Sequence, residues 1–217
     1  MKPHGVIARL LSLLVVGVLS GALQPAQANT NATIYDLPIP SGSVAFGTSV
    51  TVLSNGNFVV TDPLYNEYRG AVYLYSPNGV LISRLTGDLM NNSVGSGGIT
   101  VLTNGNYVVS SPFWDSGTDY NQDGVGAITW CSQVSGCNGS VSSANSLIAN
   151  HHGDLLSLYG GVFALANGNY IVASPQWDNG SVIEAGAVTW GDGSVGTTGI
   201  VSSANSLVGS TLFDRVG

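Results

Sequence analysis

Positive charge is what this chain has least of. Five Lys and Arg face 12 Asp and Glu in 217 residues, for a net charge of −7. The only lysine, Lys2, and Arg9 lie at the extreme N-terminus, and beyond them only Arg69, Arg84 and Arg215 remain. Binding a phosphate backbone depends on several basic side chains displacing counterions, so a nucleic-acid partner is excluded. Long apolar runs are also missing. The stretch from Leu10 to Leu19 is ended by Ser20, Gly21 and Gln24-Pro25, short of the about 20 residues that a membrane-spanning helix needs. Amphipathic helical periodicity of convincing length is absent, as are a Ser-His-Asp set, a phosphate loop and a nucleotide fingerprint. No cofactor and no catalytic set is expected.

The first 28 residues have the three parts of a secretory signal: basic Lys2 and Arg9, the apolar stretch, and Ala26-Gln27-Ala28 before the cut. Asn29 is the expected mature N-terminus, residues 29–40 a linker, and the protein secreted or held at the cell surface. Removing the signal leaves three arginines against 12 carboxylates, a net charge of −9. The only two cysteines, Cys131 and Cys137, fit a disulfide across a hairpin tip in an exporting compartment. So short a loop constrains the unfolded chain little, and a local staple worth about 1–3 kcal/mol is expected.

Internal repetition is the strongest feature present. Leu53-Ser-Asn-Gly-Asn-Phe-Val-Val-Thr-Asp-Pro63 returns from Leu102 to Pro112 and again from Leu165 to Pro175. A Gly-Ala-Val/Ile block follows each at Gly70, Gly126 and Gly186, and Ser-Ser-Ala-Asn-Ser-Leu occurs at 142–147 and 202–207. Three repeats are assigned, 41–96, 97–160 and 161–217, each read as strand, tight turn, strand, loop, strand, turn, strand. The Asn-Gly pairs at 55, 104 and 167 suit a type I′ turn joining strands one and two. Prolines 63, 112 and 175 mark where strand two leaves the ladder. Strand four is expected after Gly79, Gly139 and Gly199. Strand two is apolar at consecutive positions, so each small sheet is covered on both faces. The fold class is therefore all-β: tandem four-stranded blades of a β-propeller, with a β-solenoid as the alternative.

Phe46-Gly47, Asn-Gly-Asn-Phe-Val-Val-Thr-Asp-Pro63 and Gly70-Ala-Val-Tyr-Leu-Tyr75 together resemble the FG-GAP repeat, the blade unit of integrin α-subunit propellers. The later repeats are similar to the tandem repeats of large bacterial secreted, adhesin-like proteins. The resemblance implies a propeller and an adhesive role, though Phe-Gly becomes Val94-Gly95 in repeat two and Leu158-Tyr159-Gly160 in repeat three. Three repeats fall short of the four to eight blades of typical closed propellers. Either the reading frame is cut short or further repeats or another chain complete the array, and self-association is expected.

Several polar clusters are candidate sites. Asp119, Asn121, Asp123 and Gly124 have the Asp-x-Asn-x-Asp-Gly spacing of a calcium loop, in which alternate oxygens converge and glycine allows the turn. No carboxylate stands at the closing position, where Trp130 falls, so calcium binding no tighter than about 10⁻⁴–10⁻³ M, or a plain polar turn, is expected. Trp114-Asp115 and Trp177-Asp178 occupy matching places, which points to structural Asx-turns with the aromatic packed between blades, and secondarily to sugar stacking. His151-His152-Gly-Asp154 holds the only histidines of the expected mature chain. It reads as a solvated loop, with a metal site as the alternative. The functional expectation is a non-catalytic binding or adhesion scaffold for a protein or glycan, with a propeller-based carbohydrate-active enzyme or lectin as the alternative.

Overall fold

The computed structural model describes residues 36–117 and 124–217. Its contacts divide the chain into Met1–Pro38 and Ile39–Gly217, and the fold described is that of the second unit. The signal-like residues 1–28 and the loop carrying Asp119, Asn121 and Asp123 lie outside the described residues.

Three antiparallel sheets follow one another along the chain, one seeded by each repeat. The first contains β1 (Ser49–Val52), β2 (Phe58–Asp62), β3 (Ala71–Tyr75) and β4 (Leu81–Thr86). The second contains β5 (Gly98–Val101), β6 (Tyr107–Ser111), β7 (Ala127–Cys131) and β9 (Leu147–Ile148). The third contains β10 (Gly161–Ala164), β11 (Tyr170–Ser174), β12 (Ala187–Gly191) and β14 (Ser206–Val208). The second strand of each sheet ends one residue before its proline, where the ladder loses a donor.

The sheets are not uniformly four-stranded. Two short segments, β8 (Gly139–Ser140) and β13 (Gly199–Ile200), pair in parallel with the outermost strand of the preceding repeat's sheet. The first two sheets thereby gain a fifth strand and the third keeps four. The expectation that strand four begins after Gly139 and Gly199 is corrected. Those residues leave their own sheet, and the chain returns through Ser-Ser-Ala-Asn to form β9 and β14. The asparagine of that block closes the excursion: Asn145 Nδ2 donates to the Ser140 carbonyl at 2.9 Å and its Oδ1 accepts from Ser142 N–H at 2.9 Å. Asn205 repeats both bonds with Ile200 and Ser202. In repeat one the turn at Ser76–Gly79 is too short for an excursion, and β4 pairs directly with β3.

The hairpin turns also differ from expectation. Only the glycines (Gly56, Gly105, Gly168) have positive φ, while Asn55, Asn104 and Asn167 do not. A type I′ turn would need both. Leu53 N–H instead bonds the Asn57 carbonyl at 2.8 Å and Gly56 N–H bonds the Leu53 carbonyl at 3.0 Å, a three-residue loop closed by a glycine bulge. The first asparagine is thus not present for its backbone, and its side-chain oxygen accepts from the next asparagine's N–H at 3.0–3.1 Å in all three repeats.

The glycine opening each Gly-Ala block does answer to the backbone. A Cβ on Gly70, Gly126 or Gly186 would lie 2.0, 2.3 or 2.2 Å from the backbone nitrogen of Val94, Leu156 or Val216. In each repeat the outgoing chain crosses directly over that glycine, donating its N–H to the residue before it at 3.1–3.2 Å. The core runs continuously through the described sheets, with Val59, Leu74 and Leu85 of the first and Val108, Ile128 and Leu147 of the second buried completely. Repeat one adds a left-handed turn at Tyr65–Tyr68 and an aromatic cluster, in which Phe46 packs edge-on against Tyr73 at 5.6 Å and Phe58 stacks on Tyr75 at 5.5 Å.

Candidate functional site

The polar residues that stand out in the sequence meet at the junctions between repeats. Asn55 and Asn57 of repeat one donate their side-chain N–H groups to the backbone carbonyl of Gln133 in repeat two, at 2.9 and 2.8 Å. Asn104 and Asn106 donate in the same way to the carbonyl of Gly193 in repeat three, at 2.7 and 3.0 Å. The Gln133 and Gly193 N–H groups face the other way, each donating at 3.1 Å to the Oδ1 of the second asparagine of their own repeat, Asn106 and Asn169. One peptide group therefore joins two consecutive Asn-Gly-Asn turns. The links form a directional ladder from Asn57 through Asn106 to Asn169. Trp130 adds its indole N–H to the Gly193 carbonyl at 2.9 Å.

At the foot of the ladder the corresponding position is Pro77, which has no N–H to give Asn57, and its carbonyl has no hydrogen-bond partner among the described residues. At the head, Asn167 and Asn169 have no acceptor for their side-chain N–H groups among the described residues. Sequence reading missed this ladder because its acceptors are backbone carbonyls. The available signal was the second asparagine of each Asn-Gly-Asn, which a turn alone does not require.

The disulfide joins Cys131 and Cys137, with Cα atoms 5.1 Å apart, around the hairpin tip that presents Gln133. Repeat three has Gly191 and Thr197 at these positions. A Cβ on Gly191 would lie 2.1 Å from the Tyr170 ring, whose hydroxyl accepts from Thr197 N–H at 3.2 Å. A tyrosine fills the space and braces the tip where repeat two uses a covalent link.

A second set of contacts crosses the junctions on Asn92 and Asp154. Asn92 Nδ2 donates to the Asp115 carbonyl at 2.9 Å, and Asp154 Oδ1 accepts from Asp178 N–H at 2.9 Å. Each also closes its own turn, accepting from Leu89 or His151 N–H. Asp115 makes the expected Asx contact, accepting from Gly117 N–H at 2.8 Å, whereas Asp178 accepts from Glu184 N–H, six residues on, at 2.7 Å and so closes a longer loop. Their tryptophans, Trp114 and Trp177, are only 2% and 3% exposed. The sugar-stacking alternative is thereby corrected: a ring enclosed by the core presents no face to a glycan.

His152 Nδ1 lies 3.1 Å from Asp115 Oδ2, and His151 Nδ1 lies 3.8 Å from Asp154 Oδ2. The two histidines address different carboxylates, and among the described residues no group of three His, Cys, Asp or Glu is arranged to hold a metal. Burial pushes the Asp154 carboxyl up to about 6, against the lowering effect of the backbone N–H groups of Asp178 and His151 and of the His151 charge. Asp214, its counterpart in repeat three, is exposed and held below the usual carboxylate range by hydrogen bonds from Thr211 and Ser210.

An opening of about 400 Å³ is lined by residues of β4, including Arg84, and by Asn138 and Gly139. It holds no carboxylate pair.

A family model described as a repeat of unknown function (DUF5650) matches residues 101–157 and residues 164–217, together just over half of the chain. The two matches begin at equivalent points, the last residues of β5 and β10. No curated protein matches the chain. Among the described residues no helix is long and apolar enough to cross a membrane.

Proposed function

The chain belongs to the family of DUF5650 repeats, and on that premise we propose that it is an exported binding or adhesion scaffold. Its repeats stack as β-propeller blades of the FG-GAP kind and present loops to a protein or glycan partner. The observation that carries the reading is the use made of the repeated polar residues. Asn55, Asn104, Asp115, Asp154 and Asp178 all bond backbone groups that join or brace repeats, which is construction of a rigid array rather than chemistry on a substrate. Rigidity of this kind reduces the ordering cost of binding through loops. Export is supported by the signal-like residues 1–28 and by the Cys131–Cys137 disulfide, which an oxidising compartment favours.

A glycan array run beside a polysaccharide hydrolysis panel tests this function. Saturable glycan or protein binding without turnover is the expected result, and release of reducing ends by the purified protein would overturn it. Calcium belongs to the same test, through the loop carrying Asp119, Asn121 and Asp123. Calorimetry is expected to find at most weak binding, about 10⁻⁴–10⁻³ M, that Asp123→Ala abolishes without altering the melt.

A further inference from the structure

At one cross-strand position two repeats agree and the third departs. Thr129 bonds Ser146 and Thr189 bonds Ser206, hydroxyl to hydroxyl at 2.7 Å. In repeat one the same register position pairs Tyr73 with Arg84. The residue before the lent strand changes as well: Asn138 precedes β8 where Thr198 precedes β13. At the second junction Ser146 is buried completely, whereas at the first Arg84 is exposed and borders the opening of about 400 Å³. Residues that serve the array recur from repeat to repeat, so a cation placed at one junction alone has a duty outside the array.

Arg84 is arranged to receive an anion. Among the described residues Arg69 and Arg215 have glutamate partners, Glu67 and Glu184, and Arg84 has no carboxylate partner. Tyr65 holds its head instead, with Nη1 donating to the Tyr65 hydroxyl at 3.3 Å and the guanidinium 5.7 Å from the centre of that ring. Asn138 Oδ1 accepts from the Arg84 backbone N–H at 3.3 Å. That bond occupies an edge N–H that an added peptide strand would need, and it leaves the Asn138 Nδ2 as a second donor at the opening. Asn138 is itself fixed from both sides, since Cys137 is in the disulfide and Gly139 pairs with Leu85. A Cβ on Gly139 would meet nothing within 4 Å, so the opening is unobstructed there.

We propose that this opening binds a glycan through the carboxylate of a uronic-acid sugar, with Arg84 and Asn138 as the donors. A guanidinium matches the planar carboxylate with two parallel N–H groups, and the volume falls within the roughly 300–1,000 Å³ of small-molecule pockets. Thr86 offers a hydroxyl to the sugar, and Leu81 and Ile82 offer apolar surface to its C–H faces. With a single arginine at the opening and a net charge of −7 on the chain, the ligand is an isolated carboxylate among neutral hydroxyls rather than a polyanion. The inference rests on the scaffold reading and names the kind of glycan that the scaffold takes.

Titrating the purified protein with the methyl glycosides of glucuronic and galacturonic acid, and with those of glucose and galactose, tests the site by NMR shift changes. Within each pair the sugars differ only in a carboxylate against a hydroxymethyl group. At least one acidic sugar is expected to bind ten times more tightly than its neutral counterpart, and Arg84→Gln should remove that preference with an unchanged melt. Asn138→Asp keeps an acceptor for Arg84 N–H but sets a negative charge at the opening, so it should remove the preference too, and it decides the matter should Arg84→Gln melt early. Equal affinity within both pairs, or a preference that survives these variants, would overturn the site. N-acetylglutamate binding as tightly as the acidic sugars would overturn the glycan assignment in favour of an acidic peptide. Neutral-glycan binding that Arg84→Gln leaves intact would sink this site and keep the scaffold function, whereas release of reducing ends would sink the scaffold function itself.

Discussion

Repeats two and three carry nearly the same blocks, Thr-Trp on the third strand and Ser-Ser-Ala-Asn-Ser-Leu before the fourth, yet those residues live in different surroundings. Leu147 is sealed while Leu207 is exposed, and Asn106 donates across a junction while Asn169 does not. Thr129 and Ser146 bond hydroxyl to hydroxyl at 2.7 Å, as do Thr189 and Ser206. What lies within a repeat is therefore copied faithfully, and what lies between repeats depends on having a neighbour. This is the behaviour of a repeat array, in which stability divides into intrinsic and nearest-neighbour parts.

The comparison is broken most directly at the two leucines. Leu147→Ala is expected to cost about 2–5 kcal/mol, since it removes fully enclosed methyl groups and leaves a cavity. Leu207→Ala should change stability by no more than about 0.5 kcal/mol, as for an exposed site. Urea denaturation of both variants at a concentration where the chain is monomeric reads the contrast, and equal losses would mean that the third repeat's face is covered.

The two aspartates give the next largest difference. Asp154 has a folded pKa near 6, above its ordinary value of 3.8, so the folded state holds a proton that the unfolded chain releases. Its contribution is fully present below about pH 4 and is lost as pH rises through 6, an effect on the order of 2–3 kcal/mol. Asp214 is shifted the other way, so its small contribution is present above its ordinary pKa and lost as pH falls. Melts from pH 3.5 to 7 should show the first slope, and Asp154→Asn, which keeps an acceptor for Asp178 N–H, should flatten it. Asp214→Asn should leave it in place.

The disulfide sharpens the comparison at the hairpin tips. Reducing the link, or replacing both Cys131 and Cys137 by serine, is expected to cost about 1–3 kcal/mol. Intact-mass analysis without reductant should find the intramolecular bridge, and two free thiols would contradict it. Smallest is the asparagine pair. Asn106→Ala removes an inter-repeat hydrogen bond that Asn169→Ala does not, so the first should cost about 1 kcal/mol more than the second in parallel denaturant titrations.

Much of this was legible because it is local. Proline cannot donate to a ladder, so Pro63, Pro112 and Pro175 announce strand ends wherever the chain goes. Two cysteines six residues apart admit few geometries, and consecutive apolar residues in β2, β6 and β11 require cover on both faces. The turn type was misread because Asn-Gly satisfies two hairpin geometries; all three turns take the glycine-bulge form, in which the first asparagine's side-chain oxygen accepts from the second asparagine's N–H. Strand four was misplaced for a similar reason: Gly139-Ser140 and Gly199-Ile200 have no apolar pattern of their own, and their pairing is set by an open edge on another repeat.

Composition, periodicity and turn residues by themselves determined that the chain is all-β, repeated, poor in positive charge and stapled at one hairpin, since each of these follows from residues close in sequence. Only the tertiary structure decided that a strand is lent backward from one repeat to the one before, that the asparagines form a ladder through Gln133 and Gly193, and that the third sheet keeps an apolar face uncovered. The first two join residues about 50 to 90 positions apart, each pairing an asparagine side chain with a backbone carbonyl or N–H; the backbone partner is a group that side-chain patterns do not single out, so the sequence could point to the asparagines but not to what they meet.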